Sequence, residues 1–315
     1  MRRAAVVLAA LALLLPAAPA AAAPTTVTWT VQPASAAGPD GRRWIEQTLD
    51  PGGQVTEHLA VRNLGKTSAV FTLSAADGYL TAKGRFNMLP SDQRSVGGGT
   101  WVSVPASVTV AAGQTAVVPF LITAPVGVTP GDHPAGIAAS IAGRQGTVQI
   151  ESRVGFRLLL RASGTLQPSV TADKITMRYA RTWNPFRPGT VEVAWTTANT
   201  GNVRLDIPGT AAVSSLAGTR TVPVTAGELL PGGARPVSAR IDGVWGLGRL
   251  RTTVTLTPPG APPATATLTT WVMPWPQLLV VAAAALLMLA WRLRRRHLRS
   301  MLARAREEGR LSAAG

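Results

Sequence analysis

Cysteine is absent from the 315 residues. That excludes disulfides, a thiolate nucleophile and any metal site built on thiolate ligands. Histidine is almost absent as well: only His58, His133 and His297 occur. No H-E-x-x-H spacing exists for zinc and no D-x-D-x-D-G run for calcium. No serine falls in a G-x-S-x-G elbow. His58 reads as an exposed position in a strand. The Asp132-His133 pair in "PGDHPAG" invites a catalytic reading, and a carboxylate pair could meet in the fold as in glycosidases. "GGGT" (97–100) precedes a strand, so it lacks the helix N-terminus of a phosphate loop. The expectation is a chain that is not an enzyme and carries no cofactor and no metal.

Long apolar runs are confined to the two ends. "MRRAAVVLAALALLLPAAPAAAAP" has a basic start, a short apolar stretch and small residues around Ala21-Ala22-Ala23. Residues 1–23 read as a signal peptide, with a retained anchor as the alternative. "VMPWPQLLVVAAAALLMLAWRL" (272–293) has no charge between Gln277 and Trp291, and Trp275 and Trp291 bracket it. That length spans a bilayer, and the ring positions suit its two interfaces. A buried core helix is the alternative, and the basic block behind it counts against that. Eight arginines from Arg292 to Arg310 stand against Glu307 and Glu308, which marks residues 294–315 as a cytoplasmic tail. Leu298, Met301, Leu302 and Ala305 have helical spacing and could lie on the inner leaflet. The expected localisation is a single-pass, type I cell-membrane protein with an exported N-terminal region.

The net charge is +16. Two of those charges sit in the signal and six in the tail, leaving +8 spread along the exported part. A spread excess without a basic stripe argues against nucleic acid. It suits anionic cell-envelope polymers. Compositional drift in an arginine-, alanine- and proline-rich chain accounts for it equally well.

Helical periodicity is almost missing between the two ends. Short alternating runs are separated by Gly, Pro, Asn and Asp. "VTWTV" (27–31) puts Val27, Trp29 and Val31 on one face, and "QVTEHLAVRN" puts Val55, Glu57, Leu59 and Val61 on one face. Eight or nine such runs precede Gly164, with an irregular excursion over 77–99, and seven follow it. The predicted fold class is all-β: two tandem immunoglobulin-like β-sandwiches, 24–163 and 164–271, plus one C-terminal transmembrane α-helix. The short join at Ala162-Ser163-Gly164 predicts a restricted hinge. "PPGAPP" (258–263) reads as a turn between the last two strands or as a linker to the membrane. Three segments open alike: "LDPGGQVTEHLAVRNLG" (49–65), "VAAGQTAVVPFLITAP" (110–125) and "LPGGARPVSARI" (230–241). Gly and Pro make the corner and alternation makes the strand. The first and third are expected to be equivalent in the two sandwiches.

Binding is the chemistry left open, through loops and sheet faces. The candidate contact residues are Trp44, Tyr79, Phe86, Tyr179, Arg181, Trp183, Phe186 and Arg187. The last five share "YARTWNPFRPG" (179–189). Exposed aromatic and arginine side chains anchor partners well. Alternatively Trp183 and Phe186 fold under the loop and plug the sandwich end.

With "VQP" (31–33), "LDPGGQVTEHLAVRNLG" (49–65), "SVTVAAGQTAVVPFLITAP" (107–125) and "PGDHPAGIAASI" (130–141), the chain resembles the WxL-interacting protein family of Gram-positive surface proteins. The resemblance is good over 27–162 and weaker over 165–271. It implies a peptidoglycan-binding first domain, a second β-sandwich that holds a secreted surface protein or acts as a spacer, a transmembrane helix and a basic tail. No catalytic residue is carried over. "WGL" (245–247) and "WRL" (291–293) do not sit in a Trp-x-Leu domain. The expected function is a non-enzymatic, membrane-anchored surface protein that binds peptidoglycan or an associated polymer and a surface protein partner. The alternative is a chaperone-like assembly factor acting by strand addition, which requires a long exposed edge in the first domain. A third reading, an envelope hydrolase, requires Asp132-His133 or two carboxylates in a cleft.

Overall fold

Alternation at period two becomes β-strand wherever one face can be covered, and here that happens twice. The computed structural model describes residues 27–145 and 148–312. The signal peptide expected over 1–23 lies outside the described residues. The first half forms β1 (Trp29–Ser35), β2 (Gly38–Pro39), β3 (Ile45–Leu49), β4 (Gln54–Asn63), β5 (Ala69–Leu80) and β6 (Phe86–Met88). It continues with β7 (Val102–Ser103), β8 (Ser107–Val110), β9 (Thr115–Thr123), β10 (Gly131–Gln145) and β11 (Val148–Ala162). One sheet has the order β2-β1-β4-β9-β7. The facing sheet runs β3-β11-β10-β5-β6, with β8 also on β5. Phe71, Leu59, Ile122, Ile137 and Leu158 are 0% exposed between them. Each contributes about 1.5–3 kcal/mol through burial.

The second half forms β12 (Val170–Ala180), β13 (Gly189–Asn199), β14 (Leu205–Ser215), β15 (Gly218–Leu229), β16 (Ala234–Val244), β17 (Gly248–Leu256) and β18 (Ala264–Val272). Its sheets are β12-β13-β16 and β15-β14-β17-β18. Val191, Ile207, Ile241 and Leu250 fill a separate core. The two halves are immunoglobulin-like β-sandwiches. "PPGAPP" is the turn of the β17–β18 hairpin, not a linker.

Val55, Glu57, Leu59 and Val61 face inward as their alternation requires, and Trp29 and Val31 do the same. Three expectations need correction. The excursion at 77–99 starts as strand, because β5 runs to Leu80 and turns into β6. The apolar helix, α1, covers Trp275–Ser312 and does not begin at Val272, which still pairs with Gly248 in β18. The basic tail continues that helix without a break through Ser312. α1 is long and apolar enough to cross a membrane. The third correction concerns the repeated turns. The "LPGG" turn corresponds to "AAGQ", not to "DPGG": Gly233 and Gln114 occupy the same place relative to Asn199 and Asn63, accepting a backbone hydrogen bond from each.

Candidate functional site

β10 and β11 form a long antiparallel arm with unbroken register from Gly131↔Ala162 to Gln145↔Val148. On its far side β11 is covered only over Leu158–Ala162, where β3 pairs with it in parallel. Among the described residues no strand pairs with that side over Val148–Arg157. Ten residues of backbone therefore present an open edge. An open edge of this length is a template for another strand, and folds normally shorten, twist or cover it.

Side chains along the edge alternate. Leu158, Leu160 and Ala162 are core residues, and Phe156 packs against the same core. Val154, two residues further along, is 36% exposed. The core-facing side of β11 thus runs out of cover while still apolar. On the opposite face stand Glu151, Arg153 and Arg157. Ser91 donates its hydroxyl hydrogen to Glu151 (2.7 Å), which holds that carboxylate below its ordinary pKa. Arg153 donates to the Leu89 carbonyl (3.0 Å). Gly155 lies between them because a Cβ there would come 2.1 Å from the Ile137 carbonyl oxygen.

Of the eight candidate residues, Trp44 flanks this edge and Phe86 lies on the face of the arm behind it. Trp44 precedes β3, and the Arg157 guanidinium lies 4.6 Å from its ring centroid. Phe86 shares a groove of about 220 Å³ with Met88, Arg153 and Gly155 on the outer face of the arm. Tyr79 is turned instead toward the groove below the Leu229–Pro236 turn, and its hydroxyl accepts from Asn87 (3.1 Å). Tyr179 is structural: its hydroxyl donates to the Val244 carbonyl (3.2 Å) and accepts from the Gly246 amide (3.1 Å). Arg181, Trp183, Phe186 and Arg187 lie at the opposite end of the second sandwich, beside the start of α1. Trp183 and Phe186 are 77% and 78% exposed, so they do not plug the sandwich. The eight residues do not converge on one surface.

At its lower end the edge meets the junction between the sandwiches. Arg157 pairs with Glu228 (3.1 Å), and Arg204 reaches both Glu46 (3.6 Å) and Glu228 (3.7 Å). The Asp132 carboxylate accepts from Arg161 and from the Arg204 amide (2.6 Å). Beside that carboxylate the Arg161 guanidinium is held more firmly protonated than usual. Asn202 donates to the carbonyls of Pro130 (2.9 Å) and Thr165 (3.0 Å) and accepts from the Gln167 amide (2.6 Å). Sequence reasoning missed this junction, since its pairs lie far apart along the chain. The partners of Asp132 and His133 also diverge: the His133 ring bonds the Thr129 carbonyl (2.8 Å) and packs on Trp101. The Gly97–Gly99 loop does cradle an anion, but it is the protein's own. Asp77 accepts from the amides of Val96, Gly97 and Gly99 (2.7, 2.8 and 2.7 Å). Among the described residues no group of three His, Asp or Glu side chains could hold a metal ion.

No protein-family model matches the chain. No curated protein matches its sequence. Among solved structures it is similar to the CupB2 chaperone of Pseudomonas aeruginosa, at 15% identity over 72% of this chain and 97% of that one, with a TM-score of 0.28. It is also similar to the E. coli chaperone DraB, at 11% identity over 78% and 98%, with a TM-score of 0.34. A PapD-like domain of human CEP192 is 14% identical over 48% and 96%, with a TM-score of 0.29. At these scores the likeness carries no functional argument.

Proposed function

We propose that this is a non-enzymatic, membrane-anchored envelope protein that holds an exported partner polypeptide by strand addition along β11. α1 spans the membrane, both sandwiches lie outside, and the arginine-rich end of α1 lies inside. The observation that carries the reading is the backbone of Val148–Arg157, which no strand covers among the described residues. An added strand would satisfy every second amide and carbonyl of that edge, and its alternate side chains would extend the core past Phe156 and Val154. The partner chemistry implied is an extended segment with apolar residues at every second position. Its end would meet Arg157, Arg204, Glu46 and Glu228, whose mixed charges favour a polar terminus.

Peptidoglycan binding, which the family resemblance implies, ranks second. The residues expected to make it are dispersed over three places, whereas the strand edge is continuous.

Residue-resolved hydrogen exchange tests the proposal. The full chain in detergent micelles is mixed with peptides of alternating apolar pattern. Every second amide between Val148 and Arg157 should exchange fast in the free protein and slow when peptide is added. The intervening amides, bonded to β10, should be slow in both. Unchanged exchange with all such peptides, together with retention of the protein on isolated cell walls, would reverse the ranking.

A further inference from the structure

We propose that the helix-proximal end of the second sandwich is a bilayer-contacting surface, with the 181–188 loop as its insertion anchor. This rests on the reading of α1 as a membrane span.

The topology brings three connections to that end: 181–188 between β12 and β13, 216–217 between β14 and β15, and 245–247 between β16 and β17. The other three connections of the sandwich lie at the end facing the first sandwich, where Asn202 and Leu230 make their contacts. α1 leaves from the first of these two ends, because Val272 pairs with Gly248 and only Met273 and Pro274 follow before Trp275. The Gln277 side-chain amide donates to the Pro185 carbonyl (3.1 Å), so the loop lies level with the first turn of the helix. In a membrane-spanning helix that turn sits at the water–lipid boundary.

The residues exposed there are the types that this boundary favours. Trp183, Phe186, Leu216 and Trp271 are 77%, 78%, 84% and 77% exposed, and Trp275 is 51% exposed. Four large apolar side chains this exposed at one end of one sandwich are not ordinary soluble surface. The loop that carries two of them is built to hold its shape. Asn184 accepts from the Phe186 amide (2.9 Å), its carbonyl accepts from the Arg187 amide (3.2 Å), and Thr182 closes the loop on the Pro188 carbonyl (2.9 Å). The aromatic rings are therefore presented, not merely disordered outward. Arg181 and Arg187 flank the rings and are exposed, which places two cations at headgroup depth. The nearby carboxylate, Asp242, is already occupied by Arg240 (3.1 Å) and Thr190 (2.6 Å). The chemistry fits the outer leaflet of a membrane containing anionic lipid.

The cysteine-free sequence makes the test direct. Single variants Trp183→Cys, Phe186→Cys, Leu287→Cys and Lys83→Cys carry an environment-sensitive fluorophore in the full chain. The chain is reconstituted in phosphatidylcholine–phosphatidylglycerol vesicles whose lipids are brominated either near the headgroup or near the chain end. Labels at 183 and 186 should lose fluorescence to shallow bromines, the label at 287 to deep ones, and the label at 83 to neither. Adding Arg181→Glu and Arg187→Glu should reduce the shallow quenching. If 287 is quenched while 183 and 186 behave like 83, the contact surface is overturned and the span survives. If 287 is unquenched, the span fails and this proposal falls with it.

Discussion

Asn63 and Asn199 hold the same station in the two sandwiches. Each is buried, at 0% and 1% exposure. The Asn63 amide donates to the Thr67 and Val110 carbonyls (2.8 and 2.9 Å) and its oxygen accepts from the Gly65 amide (2.9 Å). The Asn199 amide donates to Val203 and Leu229 (2.7 and 3.0 Å), and its oxygen accepts from Gly201 (3.0 Å). One side chain thus ties a strand end to its own turn and to a neighbouring strand, twice.

Replacing either asparagine should therefore be costly. Asn199→Ala takes the side-chain donor from two buried carbonyls and the acceptor from an amide, and should destabilise by about 2–3 kcal/mol. Asn63→Ala, where the Thr67 carbonyl is near solvent and Ser68 still reaches Val110, should cost less, about 1–2 kcal/mol. Asn→Asp restores only the acceptor and should recover little. Denaturant unfolding of the four variants checks this. A change within error of zero would show that water replaces the side chain freely.

Glu57 links stability to pH. It lies 8% exposed on the inward face of β4. Burial alone would raise its pKa, but hydrogen bonds from Arg42 and Gln47 outweigh it and hold the carboxyl below its ordinary value. A lowered folded-state pKa stabilises above the unfolded value and is lost as pH falls through the folded one. Glu57→Gln should lower the melting temperature at neutral pH and flatten its decline in acid. A parallel acid decline in both proteins would remove Glu57 from the account.

The junction depends on Asp132. Asp132→Ala removes the acceptor for Arg161 and for the Arg204 amide. The loss should be about 1–3 kcal/mol of contact between the sandwiches. The expected result is a larger radius of gyration by small-angle scattering, with both sandwiches still folded by circular dichroism. An unchanged radius would mean that Asn202 and the Arg157–Glu228 and Arg204–Glu46 pairs hold the joint without Asp132.

Gly155 keeps the arm together. Gly155→Val would force a side chain into the Ile137 carbonyl and the Ala138 backbone. Overpacking of this kind costs about 1–3 kcal/mol. Hydrogen exchange should quicken in β10 and β11 while the second sandwich stays unaffected. Equal protection in variant and parent would show that the arm accommodates the side chain without loosening the ladder.

The alternating strands were legible because period-two patterning is local. Val55 to Val61 and Val191 to Trp195 face inward as their spacing requires. β3 escaped notice because only Ile45 and Leu49 of its five residues are buried, and its partner Leu158–Ala162 lies more than a hundred residues away in parallel. The open edge of β11 escaped for a related reason. Alternation reports which face of a strand is covered, but not which of its two sides has a neighbour. Trp44 and Phe86 were visible as spare aromatics, yet what they flank is a matter of topology. The turn repeat is legible but its matching is not, since "PGG" occurs in two places and the hydrogen bonds of Asn63 and Asn199 select the "AAGQ" copy.

The two-residue step from Val272 to the helix has a consequence for encounter. So short a connection removes the slack of a tether. With α1 crossing the membrane as proposed, the strand edge would be held within a thin layer over the lipid, at a height set by two stacked sandwiches. A partner confined to the same layer meets it by lateral diffusion, at an effective concentration that tethering can raise to about the millimolar range. On the proposed function, weak pairing along a bare backbone would then be enough, and selection would fall on where a chain is delivered before it falls on what that chain contains.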